Sequence, residues 1–162
     1  AKHGFALEKK RVFADGHSLF YAFSYKGKDS DSVPKFQLSE YADNKLLFQN
    51  WLKANVDFVQ SVNTRIDEAL VTQKEPSIYL FGAHIFTQYL VSFGLRASVV
   101  SAILDNATGK QGKRLYGLPL MVYSPKVLAD KERPIIILRV GAYAEEIKRG
   151  ILEVNANAIF WE

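Results

Sequence analysis

Between Ser39 and Gln73 the chain has neither glycine nor proline, and Leu47, Trp51, Phe58, Val62, Ile66 and Leu70 recur at roughly helical spacing, with Val59 and Ala69 beside them. An apolar stripe of this kind predicts one long amphipathic helix. Ser39 or Asp43 is the expected cap. Lys74-Glu75-Pro76 is the expected stop, because proline disfavours helical geometry in the residue before it. The stripe's width favours packing on the chain's own core. A homodimer or partner helix seated on the same stripe stays open as the other reading.

Ahead of the helix the pattern changes. Leu7–Phe13 and the aromatic run Ser18–Tyr25 flank Asp15-Gly16, a strong signal for a β-hairpin. Two strands alone are marginal in water, so this hairpin is expected to join a larger sheet. Gly27–Pro34 is rich in Ser, Asp, Gly and Lys and reads as a linker.

From Pro76 onward, short apolar runs alternate with helical patterns. Ser77–Phe81, Val99–Leu104, Leu120–Val122, Ile135–Leu138 and Ala158–Trp161 read as strands. Ile85–Phe93, a short helix opened by Ser124-Pro125, and Ala144–Leu152 read as helices. Continuous apolar strands separated by helices imply a parallel sheet covered on both faces. The expected fold is therefore α/β: a Rossmann-like, mostly parallel five-stranded sheet of order 3-2-1-4-5, preceded by a β-hairpin and a long helix. The expected divisions are residues 1–27 for the hairpin, 28–75 for the linker and long helix, and 76–162 for the Rossmann-like domain.

Composition narrows the function classes. The 162 residues are 48% apolar with a net charge of +4, enough for one substantial core. The basic residues are mostly dispersed, apart from Lys9-Lys10-Arg11 and Lys110 with Lys113-Arg114, so nucleic acid is not the expected partner. There is no cysteine, which excludes disulfides, thiolate zinc sites and a cysteine nucleophile. The histidines are His3, His17 and His84, without metal-binding spacing, and no metal site is assigned. No apolar run reaches membrane-spanning length. The expectation is a soluble cytoplasmic protein that does not engage a membrane, and the opening Ala-Lys-His-Gly reads like the interior of a longer chain.

In a sheet of this order, ligands bind outside the carboxyl ends of the strands, near the point where the order reverses. The turns after Phe81, Leu104 and Leu138 therefore hold the candidates. Gly82 is either a plain turn glycine or a place where a ligand approaches the backbone, ahead of a helix start that offers N–H groups to an anion. With only one glycine in Phe81-Gly82-Ala83-His84, the dinucleotide signal is weak. His84 is a phosphate donor, a proton carrier or a hydrogen-bonded structural residue. Asp105 and Asn106 either cap a turn or bind sugar hydroxyls. Lys110 and Gln111 lie in a glycine- and lysine-rich loop that suits phosphate or is simply solvated. Tyr143 follows the fourth strand and can stack on a base or sugar, or close the sheet edge. Gly82, His84, Asp105, Asn106, Lys110 and Gln111 are expected to surround one pocket. Asp15 and His17, two residues apart on the hairpin, read as turn chemistry before they read as a dyad. No catalytic residue is assigned.

Over Pro76–Glu162, about half the chain, the sequence resembles the C-terminal domain of S-adenosylmethionine-dependent sugar C-methyltransferases. The matching residues are Ile78-Tyr79-Leu80-Phe81-Gly82-Ala83, Leu104-Asp105-Asn106 with Lys110-Gln111-Gly112, Ser124-Pro125, Ile135–Leu138 and Glu146-Ile147. Asp-Asn followed by Lys-Gln-Gly is the most specific piece. The family usually carries Gly-Tyr-Gly-Ala or a similar run at the first turn, where this chain has Phe-Gly-Ala-His-Ile-Phe. More loosely, His3-Gly4-Phe5 and His17–Phe23 look like the closing strands of a class I methyltransferase domain. The resemblance implies the tail of such an enzyme, in which the C-terminal domain helps hold a nucleotide-sugar substrate. It implies that S-adenosylmethionine and the family's catalytic His/Glu/Tyr cluster belong to an upstream methyltransferase domain of the same polypeptide. No glycine-rich donor turn precedes Pro76, so no cofactor is expected on this chain alone, which is expected to be inactive by itself. The rival readings are a small stand-alone nucleotide-binding Rossmann module and an interaction domain that pairs through its long helix.

Overall fold

The computed structural model describes residues 3–13, 18–27, 38–73 and 75–162. It divides into two compact units, Ala1–Leu47 and Phe48–Glu162. In the first unit, β1 (Phe5–Phe13) pairs antiparallel with β2 (Ser18–Tyr25). The register shifts between Leu7 and Lys9, leaving Glu8 as the extra residue of a bulge. Pairing places Phe5 opposite Tyr25, Leu7 opposite Phe23, Lys10 opposite Tyr21 and Val12 opposite Leu19. Because side chains alternate between faces, these residues share one face, and the apolar ones among them are all exposed. The hairpin is closed at its base by Lys26, whose amide donates to the Gly4 carbonyl at 2.7 Å. A Cβ at Gly4 would lie 2.0 Å from the Gly27 carbonyl oxygen, so the closure requires glycine there. The Asp15-Gly16 turn and His17 lie outside the described residues.

The long helix, α1, runs unbroken over Leu38–Thr72. It begins before both expected caps, so Ser39 and Asp43 lie inside it rather than at its start. Its end falls where Pro76 requires. Only part of the apolar stripe is a core face. Phe58, Val59, Val62, Ile66 and Ala69 are buried, whereas Leu47 and Leu70 are exposed at 65% and 42%.

Five parallel strands follow: β3 (Ile78–Phe81), β4 (Ala102–Leu104), β5 (Val122–Tyr123), β6 (Ile135–Ile137) and β7 (Ile159–Trp161). In space they run β5-β4-β3-β6-β7. Counted within this sheet alone, that is third, second, first, fourth, fifth. Helix α2 (Ile85–Ser92) links β3 to β4, and α3 (Ala144–Val154) links β6 to β7. The expected second strand is shorter than its apolar run, because Ala97–Val99 forms a 3-10 turn and only Ala102–Leu104 pairs. The expected third strand is displaced to Val122–Tyr123.

The strands' alternation sorts the core into two halves. Ile78, Leu80, Ile103, Val122, Ile135 and Ile137 pack with the buried α1 residues and Leu90 of α2. Tyr79, Phe81, Ala102, Leu104 and Ile136 pack on the other face with Ile151 of α3 and Leu128. Leu128 ends a 3-10 turn, Pro125–Leu128, capped by Ser124. The sheet is thus covered on both sides, which is why its strands read as continuous apolar runs. Among the described residues, no helix is long and apolar enough to cross a membrane.

Candidate functional site

The order of the sheet reverses between β3 and β6, since the chain leaves β3 for one side and later returns as β6 on the other. Their carboxyl ends define the crevice expected to receive ligands. The turn after β3 forms one wall and the residues after β6 form the other. The end of β4 adjoins the first wall.

Asp105 organises that wall. It follows β4, is only 7% exposed, and its carboxylate is used on both oxygens. Oδ2 accepts from the Ala83 amide at 2.8 Å and from the Lys110 ammonium at 2.9 Å. Oδ1 accepts from the Ala107 amide at 2.8 Å, and the Asp105 carbonyl accepts from the Gln111 side chain at 2.9 Å. Burial pushes the Asp105 carboxyl up. The Ala107 amide, the Lys110 ammonium and the Ala83 amide together outweigh that effect and hold it below the ordinary carboxylate value. Asp105 therefore ties the turn after β3 to its own turn across 22 residues of sequence.

The loop bearing Lys110 and Gln111 is folded rather than loose. Lys110 and Gln111 donate backbone bonds to Ala107 and Thr108, and Gly112 and Lys113 exchange bonds with Val122. Its cation is held at the rim with a side chain 45% exposed.

The turn after β3 departs from the simplest expectation. Gly82 donates to the Leu104 carbonyl at 2.7 Å, Ala83 to Asp105, and His84 to the Gly82 carbonyl at 3.1 Å. These three amides are spent internally and are not open to an anion. The first helical amides, those of Ile85 and Phe86, are what the start of α2 leaves to a ligand. Thr87 adds a side-chain hydrogen bond to the Gly82 carbonyl. Gly82 has φ +102°, and the His84 ring lies directly over it. Burial lowers the His84 pKa, and the nearby Lys110 ammonium lowers it further against the opposing pull of Asp105. The fold therefore favours the neutral imidazole, and its Nδ1 is buried with no hydrogen-bond partner among the described residues.

The structure thus brings Gly82, His84, Asp105, Lys110 and Gln111 together. Asn106 is exposed next to Asp105. Tyr143 follows β6, among the residues that form the other wall of the crevice, and is 50% exposed. Among the described residues, no group of His, Asp and Glu could hold a metal ion. A cavity of about 390 Å³ lined by Gln73, Glu75, Ser77, Glu132 and Arg133 lies where the chain enters β3 and β6, the opposite end from a ligand crevice in a parallel sheet.

One group of residues escaped the sequence reading. His84 packs edge-on against Phe86 with ring centroids 5.7 Å apart, and Phe86 continues to Tyr89 at 6.1 Å. Tyr89 stacks on Phe93 at 6.2 Å, and Trp51 of α1 meets both edge-on at 5.9 and 6.3 Å. Phe48 stacks on Trp51 at 5.9 Å. The signal was available in the spacing of 86, 89 and 93, which places the three rings on one side of α2 and its C-terminal cap.

Comparison with protein-family models and with curated proteins gave no match for this chain.

Proposed function

We propose that Phe48–Glu162 is the substrate-holding portion of a cytoplasmic methyltransferase that acts on a nucleotide-linked sugar, and that it is inactive alone. The observation that carries this reading is the Asp105 network. It locks the turn after β3 and the Lys110 loop into one rim beside the reversal of the sheet. The rim offers a half-exposed ammonium and the open amides of Ile85 and Phe86 to phosphate oxygens. The resemblance over Pro76–Glu162 supplies the substrate class. In this reading S-adenosylmethionine, the methyl source, is held by an upstream methyltransferase domain of the same polypeptide. The exposed apolar face of the β1–β2 hairpin is what that domain's sheet covers.

Calorimetric titration of this chain tests the reading. A nucleotide sugar is expected to bind saturably, and S-adenosylmethionine is expected to give no binding heat. Donor binding tighter than about 100 μM, roughly −5.5 kcal/mol, or the absence of nucleotide-sugar binding, overturns it.

A further inference from the structure

The linked rings of Phe48, Trp51, Phe86, Tyr89 and Phe93 form an aromatic shelf that starts at His84 and belongs wholly to the Phe48–Glu162 unit. Phe48, Phe86, Tyr89 and Trp51 are 57%, 50%, 40% and 36% exposed. Rings of this size normally bury their faces. A contiguous apolar patch left open on a soluble domain marks an interaction site.

Two observations choose the occupant. The first is area. At roughly 200 Å² per aromatic side chain, the open part of the shelf amounts to about 350–400 Å². A stable protein interface needs about 800 Å² from each partner, so the shelf is too small to hold a second copy or another protein by itself. It is the right scale for one or two flat rings. The second is charge. At its His84 end the shelf adjoins the Asp105 network, in which the Lys110 ammonium and the amide of Ala83, the residue before His84, share Asp105 Oδ2 at 2.9 and 2.8 Å. The first turn of α2 carries no acidic residue, and the amide of Phe86 lies in that turn. A ligand with a flat face joined to an anionic group satisfies both ends.

We infer that the shelf is a stacking site for the nucleobase of a nucleoside diphosphate, with Phe86 as its first platform and the diphosphate directed toward Lys110. Base-on-ring stacking tolerates any base, because each has a π face. The shelf therefore supplies affinity for the nucleotide, and discrimination among bases must come from elsewhere. This inference rests on the proposed nucleotide-sugar reading and adds where the base sits.

Trp51 is a built-in reporter. The chain has two tryptophans, and Trp161→Phe leaves Trp51 alone in the shelf. Titration of uridine or thymidine diphosphate into that variant is expected to change Trp51 emission saturably. Phe86→Ala is expected to weaken nucleoside diphosphate binding about ten-fold, within the range for loss of one stacked base, and to leave inorganic pyrophosphate binding unchanged. Phe86→Tyr restores affinity, whereas Phe86→Leu, which keeps apolar bulk without a ring face, does not. If Phe86→Leu binds like the parent, or if a base-free sugar 1-phosphate loses as much affinity as the nucleotide in Phe86→Ala, the stacking assignment is wrong. It is also wrong if Phe86→Ala and Tyr89→Ala leave nucleotide binding unchanged while Lys110→Ala weakens it, a result that leaves the nucleotide-sugar reading standing. Concentration-dependent dimerisation abolished by Tyr89→Ala would assign the shelf to a protein instead. If neither nucleotide nor nucleotide sugar binds the parent, the functional reading and the shelf fall together.

Discussion

The imidazole of His84 occupies the space that a side chain at Gly82 would need: an ideal Cβ there lies 2.3 Å from His84 Nε2. Residue 82 also has φ +102°, a backbone conformation that side chains rarely adopt. Two separate costs thus fall on one substitution. Gly82→Ala is expected to lower stability by about 1–3 kcal/mol, read from urea unfolding. Adding His84→Ala removes the clash but not the backbone strain, so the double variant should recover part of the loss. Full recovery would mean that the backbone conformation carries no cost, and no recovery that the ring moves aside freely.

Asp105 gives acid sensitivity with a defined sign. Its folded-state pKa is held below the ordinary 3.8. Its contribution to stability is therefore complete above that value and is lost as pH falls through it toward the lower folded value. Stability followed by circular dichroism from pH 6 to 2 should decline more steeply in the parent than in Asp105→Asn. Asp105→Ala, which leaves the Ala83 amide without its acceptor, should cost at least about 2 kcal/mol at pH 7. A cost below about 0.5 kcal/mol, the scale of an ordinary surface change, would remove Asp105 as the organiser of this wall.

His84 titrates in a higher window. Its folded pKa lies below the ordinary 6.5, so the fold favours the neutral ring. Stability from this group is complete above 6.5 and is lost as pH falls through the depressed folded value. Proton NMR titration of the ring should give a midpoint below 6.5, and Lys110→Ala should raise it, since the ammonium is one cause of the depression. A midpoint above the ordinary value would show that Asp105 dominates instead.

Lys110 should separate substrate from donor. Under the proposed reading, in a polypeptide that also carries the methyltransferase domain, Lys110→Ala is expected to weaken nucleotide-sugar binding by about 1–3 kcal/mol and to leave S-adenosylmethionine binding as it was. Calorimetry of both ligands on both proteins reads the two effects independently. Equal losses for both would place the ammonium somewhere other than the substrate rim.

The two kinds of apolar position on α1 should behave differently. Ile66 is fully buried, and Ile66→Ala should cost about 2–5 kcal/mol. Leu70, on the same expected stripe, is 42% exposed. Its alanine variant should stay within about 0.5 kcal/mol of the parent, as measured by thermal unfolding.

The elements that read most clearly from sequence are those whose signal is local. Ile135–Ile137 and Ile78–Phe81 are continuous apolar runs bounded by proline and glycine, and they became the central strands. Val99 carried the same apolar signal, but a 3-10 turn claimed it, because the bend after Arg96 comes before the strand can start. The stripe on α1 gave the helix correctly and its buried length incorrectly, since periodicity says which residues share a side but not how far the sheet reaches beneath them. At the site, the grouping of Gly82 with Asp105 and Lys110 followed from strand order. The bond from Ala83 to Asp105 did not, because it depends on where two turns meet after folding. That bond ties the Asp105 carboxylate to the turn after β3. The aromatic shelf does not follow from the sequence pattern, because Trp51 reads as part of the α1 stripe and its meeting with Tyr89 depends on how α1 and α2 pack.

The hairpin has a consequence for how this polypeptide is handled during synthesis. Phe5, Leu7, Leu19, Tyr21, Phe23 and Tyr25 stand on one open face, and β1 pairs only with β2 among the described strands. Such a ribbon is the kind of greasy, strand-ready surface that chaperones retain and that drives inclusion bodies when it is overproduced. Polar replacements at Leu7 and Phe23, which oppose each other on that face, are therefore the first changes to make for soluble yield of this chain by itself.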